Sequence, residues 1–418
     1  MKKKIYKFFL LLIIILLSIF TGYENPNLVE VPKKYAHFIL KKMGIRDNFF
    51  NEKIVNEVNE KSKNEEKKIE EFIGNSFSLH LSKVKSFPGK SGSLIMRQKG
   101  NKVEYEIFTT TGLLINENKI SEINLPLFFY TEKDGGIKSV FLIEDEYFAL
   151  LSLKKFNCLY ASLISLKNKE EIISSKCLPD KNGINFGGLG GAYVKMENKI
   201  LLSIGVPTHI SEQIDKLAQI ENSFFGKILS IENKEFFNYD KKKIKYNIFS
   251  RGHKNPQGLV FFKGNIFSLE HGPQGGDELN QIIEGKNYGW PIASLGTRYN
   301  DGKSFFRSHM EHNFQEPIFT FSPAVAPSSL NVCPDNLAKY YENYNCLMGL
   351  SLRGMSVLIF LIDKNQSKVI NVEKILLKKR LRHFGLDPSG KLFFDKENNF
   401  YITSDNDGLY KVHFNKFR

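Results

Sequence analysis

Residues 251–291 read RGHKNPQGLVFFKGNIFSLEHGPQGGDELNQIIEGKNYGWP. Two clusters rich in Gly, Pro, Asn and Asp, RGHKNPQG at 251–258 and EHGPQGGDELN at 270–280, enclose LVFFKGNIFSLE at 259–270. The enclosed segment is two β-type runs around the polar turn Lys263-Gly264-Asn265, so it predicts a hairpin. Charged and amide side chains at both ends of one hairpin exceed what turn geometry needs. Loops on a rigid scaffold are where binding chemistry sits, so the stretch predicts scaffold and site together.

The same unit recurs in both directions. Runs of period two bounded by Gly, Asn, Asp or Lys include SGSLIMRQKG at 91–100, KVEYEIFTT at 102–110, AYVKMENKILLSIG at 192–205, KLFFDKENNFYITSD at 391–405 and GLYKVHF at 408–414. Helical periodicity is scarce after residue 76. So many short antiparallel strands predict radial repetition, a β-propeller, rather than a single sandwich.

The chain has 418 residues, 42% hydrophobic and 25% charged, enough to bury a sizeable core. Its formal charge is +14, but the lysines are dispersed. No helix-turn-helix, zinc-ligand spacing or RNA-binding sheet signature accompanies that charge, which excludes nucleic acid as the expected partner.

At the start, Lys2, Lys3, Lys4 and Lys7 precede the apolar run FFLLLIIILLSIF at 8–20. A basic segment before such a run predicts export. Residues 1–22 are read as a signal peptide, or as an inner-membrane anchor over 5–22, placing the protein in the periplasm or cell envelope. Residues 23–75 are charged with apolar residues at helical spacing, a predicted helical spacer, and 76–418 form the propeller. Cys158, Cys177, Cys333 and Cys346 permit three connectivities. Local pairing of 158 with 177 and 333 with 346 suits an exported protein; four unpaired buried thiols are the alternative.

The motifs RGHKNPQGL, EHGPQGGDELN and GKNYGWP resemble the signature of the glucose/sorbosone dehydrogenase family. DGGIKSV at 134–140, NFGGLGG at 185–191, GKILSI at 226–231, SPAVAPSSL at 322–330, LMGLSLRG at 347–354 and KRLRHFGLDPSG at 379–390 keep the family's order. The segment before residue 130 matches poorly. The resemblance implies an all-β, six-bladed propeller of four-stranded antiparallel blades. It also implies a pyrroloquinoline quinone-dependent aldose sugar dehydrogenase, which oxidises a sugar at C1 to the lactone by hydride transfer to the quinone.

By the same resemblance, the backbone carbonyls of Gly272 and Pro273 would bind Ca²⁺, an oxygen-seeking cation. Lys254 (where the family usually has Arg), Asn255 and Gln257 would line the cofactor pocket, with Arg353 near it in a longer loop. Arg380 and Arg382, at i and i+2, would point to one face of a strand and meet cofactor carboxylates; a solvated charge run is the other reading. Glu278, Tyr288 and Trp290 are expected to hold the blade and a structural ion rather than do chemistry.

The departure is Asn185, which stands where the family's general-base His precedes Phe-Gly-Gly, and an amide cannot take a proton near neutral pH. Val206 likewise replaces an acidic residue after Gly205, and Lys138 replaces an acidic or apolar one. His209, His253 and His271 are candidate substitutes. Two functions follow: a sugar dehydrogenase passing electrons to an unknown acceptor, or a catalytically impaired propeller acting as a sugar- or partner-binding module.

Overall fold

The computed structural model describes residues 69–415 except 75, 181–182, 210–212, 238–243 and 366–367. Six antiparallel sheets follow one another along the chain. Their innermost strands are Ser91–Lys99, Ile137–Ile143, Gly190–Lys195, Asn255–Phe262, Pro327–Val332 and Leu381–Phe384, which define blades 1 to 6. Each blade steps outward strand by strand, and within the described residues the sole α-helix is the short Asp335–Tyr340.

Each of the six apolar clusters lies between two neighbouring blades, because a pleated strand sends successive side chains to opposite faces. The run Ser356–Ile362, buried throughout, shows the principle. Leu358, Phe360 and Ile362 pack toward blade 4, whereas Val357, Ile359 and Leu361 pack toward blade 6. A blade covered on both faces needs no polar side, so its middle strands are continuously apolar.

The ring closes through blade 6. Its strands Leu381–Phe384, Phe400–Ser404 and Gly408–Phe414 accept Ser78–Ser86 from the other end of the propeller, in register from Leu79 opposite Phe414. Ile69–Ile73 then pairs outside Ser78–Ser86, with Ile69 opposite Ser82.

That last strand corrects one expectation. Residues 69–73 fall in the stretch read as a helical spacer, and Ile69, Phe72 and Ile73 do fit helical spacing. The unpaired backbone edge of Ser78–Ser86 decides for strand, and Phe72 packs on the core beside it. The remainder of the spacer and the apolar run 8–20 lie outside the described residues. Among the described residues no helix is long and apolar enough to cross a membrane.

The cysteines pair locally, Cys158 with Cys177 and Cys333 with Cys346, and neither thiol pair remains free.

Candidate active site

The two turn clusters of 251–291 meet at one end of blade 4. Asn247–Arg251 is the outer strand of blade 3, and after three intervening residues Asn255 opens the innermost strand of blade 4. Asn255 stands directly opposite His271, so RGHKNPQG and EHGPQGG are neighbours in space.

Beneath them a buried polar network fixes the blade. The His253 ring contacts Ser250 Oγ through Nε2 at 2.8 Å and Glu270 Oε1 through Nδ1 at 3.1 Å, and it stacks on Tyr288 at 4.5 Å. Asn280 Nδ2 donates to Glu270 Oε1 at 2.8 Å and to Glu278 Oε2 at 3.1 Å. Burial and the nearby Glu270 push the Glu278 carboxyl up to about 8. Tyr288 donates its hydroxyl to the Gln281 carbonyl at 2.6 Å, and Trp290 Nε1 donates to Asp215 Oδ1 at 3.2 Å. His253, Tyr288 and Trp290 are thus supports of the blade, and His253 drops out as a replacement base.

A cavity of about 400 Å³ opens where the first residues of the innermost strands converge. Lys90, Asp134, Lys138, Gln257, His271 and Arg382 bring its charge and polarity. Asn255, itself buried, accepts from the Gly190 N–H at 3.0 Å and from Gln257 Nε2 at 2.7 Å. Asn255 is therefore a brace, and Gln257 the group that faces the cavity.

The two arginines differ in burial. Arg382 forks onto both carboxylate oxygens of Asp405 and lines the cavity. The Arg380 side chain is 53% exposed, with Nε 3.9 Å from Asp405 Oδ2. Both arginines thus turn toward Asp405, and Arg380 is the more exposed of the two because it precedes the strand Leu381–Phe384, whose pairing is also irregular. Lys254 lies beside the cavity, its Nζ 5.5 Å from the Trp290 ring and 5.8 Å from the Tyr299 ring. Burial pushes its ammonium below the usual lysine range. Arg353 is exposed and acts on the same Tyr299 through its charge.

Gly272 and Pro273 are buried. The Gly272 N–H donates to Asp277 Oδ1 at 3.0 Å, and Asp277 Oδ2 accepts from the backbone N–H groups of Val325 and Ala326. A Cβ at 272 would stand 1.8 Å from the Gly276 carbonyl oxygen, so only glycine fits. Neither the Gly272 nor the Pro273 carbonyl receives a hydrogen bond among the described residues. No group of three or more His, Cys, Asp or Glu stands at metal-binding separation there either.

Asn185 is fully engaged. Its Oδ1 accepts from the Gly187 N–H at 2.6 Å, capping the 3₁₀ turn Phe186–Gly188, and its Nδ2 donates to Asp134 Oδ2 at 2.9 Å. The carboxylate must face the NH₂ and the backbone N–H must face the carbonyl, which fixes the amide's orientation. Asp134 in turn accepts from Lys90 Nζ at 2.6 Å. Lys90 and Asn185 hold its carboxyl below the usual carboxylate range.

Lys138, on the same blade, donates its Nζ to the Asp134 backbone carbonyl. His271 donates Nε2–H to the Pro327 carbonyl, and burial with the charge of Lys254 holds its ring down to about 3. Val206 is simply core, 2% exposed. Sequence reading missed Lys90, Asp134 and Asp405 as site residues, although Asp134 opens DGGIKSV and Asp405 ends KLFFDKENNFYITSD.

A model of the family described as Glucose / Sorbosone dehydrogenase matches residues 160–402, more than half of the chain. An uncharacterised protein of Synechocystis, slr1608, is 29% identical over 224 residues, 51% of this chain and 52% of that protein. The aldose sugar dehydrogenase YliI of Escherichia coli is 30% identical over 151 residues, 35% of this chain and 40% of that protein. Quinoprotein glucose dehydrogenase B of Acinetobacter calcoaceticus is 50% identical over 46 residues, 11% of this chain and 10% of that protein. The matches thus span about half or less of these curated relatives. The apo form of the soluble aldose sugar dehydrogenase of Escherichia coli superposes with a TM-score of 0.62 at 19% identity, over 80% of this chain and 99% of that one, a likeness of fold. With its central motifs inside the matched span and its six blades in the same arrangement, the chain belongs to the glucose/sorbosone dehydrogenase family of oxidoreductases.

Proposed function

We propose that the chain binds pyrroloquinoline quinone at the cavity and oxidises an aldose at C1 to the lactone. The observation that carries this reading is the set of cations around the cavity, Lys90 and Arg382 on the wall with Lys254 beside it. Such a set fits a planar group bearing three carboxylates. When bound, the ortho-quinone would accept a hydride from the sugar carbon. Arg382, oriented by Asp405, would meet one carboxylate. Lys254, which forms no ion pair with a carboxylate among the described residues, would offer its charge to another anionic oxygen, and exposed Arg353 and Arg380 would strengthen the field at the rim. The carbonyls of Gly272 and Pro273 would take Ca²⁺. Gln257, steadied by Asn255, can donate to a sugar hydroxyl. The relative named a quinoprotein glucose dehydrogenase supports the same cofactor class. Two disulfides suit an oxidising compartment such as the periplasm, with a separate electron acceptor reoxidising the cofactor.

A second reading has its own observation. Asn185 uses both amide functions structurally and cannot accept a proton, so the site could hold sugar or a partner without turning it over. Titration of the purified full chain with pyrroloquinoline quinone and Ca²⁺, followed by absorbance, separates the two when glucose and other aldoses are added. Binding with bleaching of the quinone supports the dehydrogenase, and binding without reduction supports the binding module. No binding overturns the cofactor assignment.

A further inference from the structure

Oxidation of a hydroxyl-bearing carbon sends a hydride from carbon and a proton from oxygen, so the site must contain a proton acceptor. This inference rests on the sugar-oxidation reading above. Asn185 cannot serve. Around the cavity, Asp134 engages one carboxylate oxygen with Lys90 and the other with Asn185. Arg382 stays charged in proteins and forks onto Asp405. His271 spends its Nε2–H on the Pro327 carbonyl, and burial holds the His383 ring down to about 3, which makes it a weak base at neutral pH.

One group is left. Lys138 is the second residue of the innermost strand of blade 2, and its side chain reaches back along the wall. Its Nζ is anchored on the backbone carbonyl of Asp134, the same residue whose carboxylate holds the Asn185 amide. The amine and the amide at the family's base position are therefore both tied to Asp134.

We propose that Lys138 is the proton acceptor of this site: its neutral amine takes the proton of the sugar's C1 hydroxyl while the hydride leaves C1 for the two-electron quinone acceptor, converting the lactol to the lactone. The ammonium so formed is held by the Asp134 carbonyl, and the Asp134 carboxylate offsets its charge until the proton leaves through the open mouth.

The surroundings agree. Burial, with Arg382 and Lys90 close by, pushes the Lys138 amine down to about 7, and Asp134 only partly opposes them. His383 from blade 6, His271 from blade 4 and Tyr193 from blade 3 complete the titratable groups that line the space with it. None of these brings a second carboxylate to the amine.

Two measurements on the full chain test this. Competitive acetylation with acetic anhydride across pH, read by peptide mass spectrometry in cofactor-free protein, should show Lys138 reaching half-reactivity near neutral pH while surface lysines do so near ~10.4. An ordinary lysine profile at 138 overturns the proposal. In protein loaded with pyrroloquinoline quinone and Ca²⁺, turnover should rise through neutral pH. Lys138→Met and Lys138→Arg should lower kcat by about 10²–10⁴-fold, leaving quinone and sugar affinity within about threefold. Added methylamine should restore part of the turnover of Lys138→Ala. If the wild type turns over and Lys138→Arg does so equally well with the same pH profile, Lys138 is not the acceptor although sugar oxidation stands. A loaded wild type that oxidises no aldose removes the sugar-oxidation reading itself, and this proposal with it.

Discussion

Arg382 and Asp405 form a forked pair at the cavity wall, with the Asp405 side chain only 1% exposed and the Arg382 side chain 16%. A pair this dry stands because each charge satisfies the other, and removing one partner leaves the other stranded. Arg382→Met should therefore destabilise the cofactor-free protein by about 3 kcal/mol. The double change Arg382→Met with Asp405→Leu should cost less than that single one. For binding, Arg382→Met should weaken quinone affinity more than about tenfold, whereas Arg380→Met at the rim should weaken it less than about threefold. Urea unfolding and absorbance titration read the two effects. Equal losses of affinity from both arginines would show that Arg380 also reaches the cofactor.

Asn185 acts as a cap and a clamp. Asn185→Ala frees the Gly187 N–H and removes one partner of Asp134, so it should cost about 1–2 kcal/mol. Asn185→Asp should cost more, because it sets a second carboxylate against Asp134 while keeping the cap acceptor. Urea midpoints of the three proteins at neutral pH check the order. An Asp variant as stable as wild type would mean that Asp134 turns away from position 185.

The propeller was legible because period-two runs separated by turn residues persist wherever a strand has one wetter face. The turn at Lys263-Gly264 sets the register of the signature hairpin as far as Gly258 opposite Leu269, and a bulge at Gln257 then brings Asn255 opposite His271. What stayed hidden in the sequence depends on partners far along the chain. Arg382 meets Asp405, 23 residues on, and Lys90 meets Asp134, 44 residues on, so neither pairing leaves a local trace. Residues 69–73 show the reverse failure. Their apolar spacing fits a helix, and only the free edge of Ser78–Ser86, supplied by ring closure, makes them a strand. The resemblance placed Arg380 and Arg382 together. The local backbone, where the strand begins one residue after Arg380, leaves Arg380 the more exposed of the two although both turn toward Asp405.

Lys138 also couples stability to pH. Its amine is pushed down to about 7 in the folded protein, against ~10.4 in an unfolded chain. Between those values the unfolded state binds more protons, so folding stability rises with pH, and below them the folded state carries the full cost of charging a buried amine. Lys138→Met lacks that cost. The variant's advantage over cofactor-free wild type should be largest below about pH 7 and should fade as pH climbs toward about 10. Urea unfolding of both proteins at about pH 6, 8 and 9.5 gives the comparison, and a difference independent of pH would contradict the assignment of the titrating group.

The second disulfide closes a short loop, Cys333 to Cys346, a sequence separation of 13, across the start of the helix Asp335–Tyr340 and into the middle of blade 5. Both cysteines are buried, at 4% and 2% exposure, so Ser replacements add small polar groups to the core as well as removing the link. Chain-entropy reasoning for a loop of this length gives about 3 kcal/mol for the cross-link. The paired change Cys333→Ala with Cys346→Ala, which avoids the added hydroxyls, should therefore lose about 3 kcal/mol in urea unfolding and leave quinone affinity unchanged, since no cavity residue lies on that loop. A loss of quinone affinity without a loss of stability would show that blade 5 is set by this bridge at the mouth rather than at its outer end.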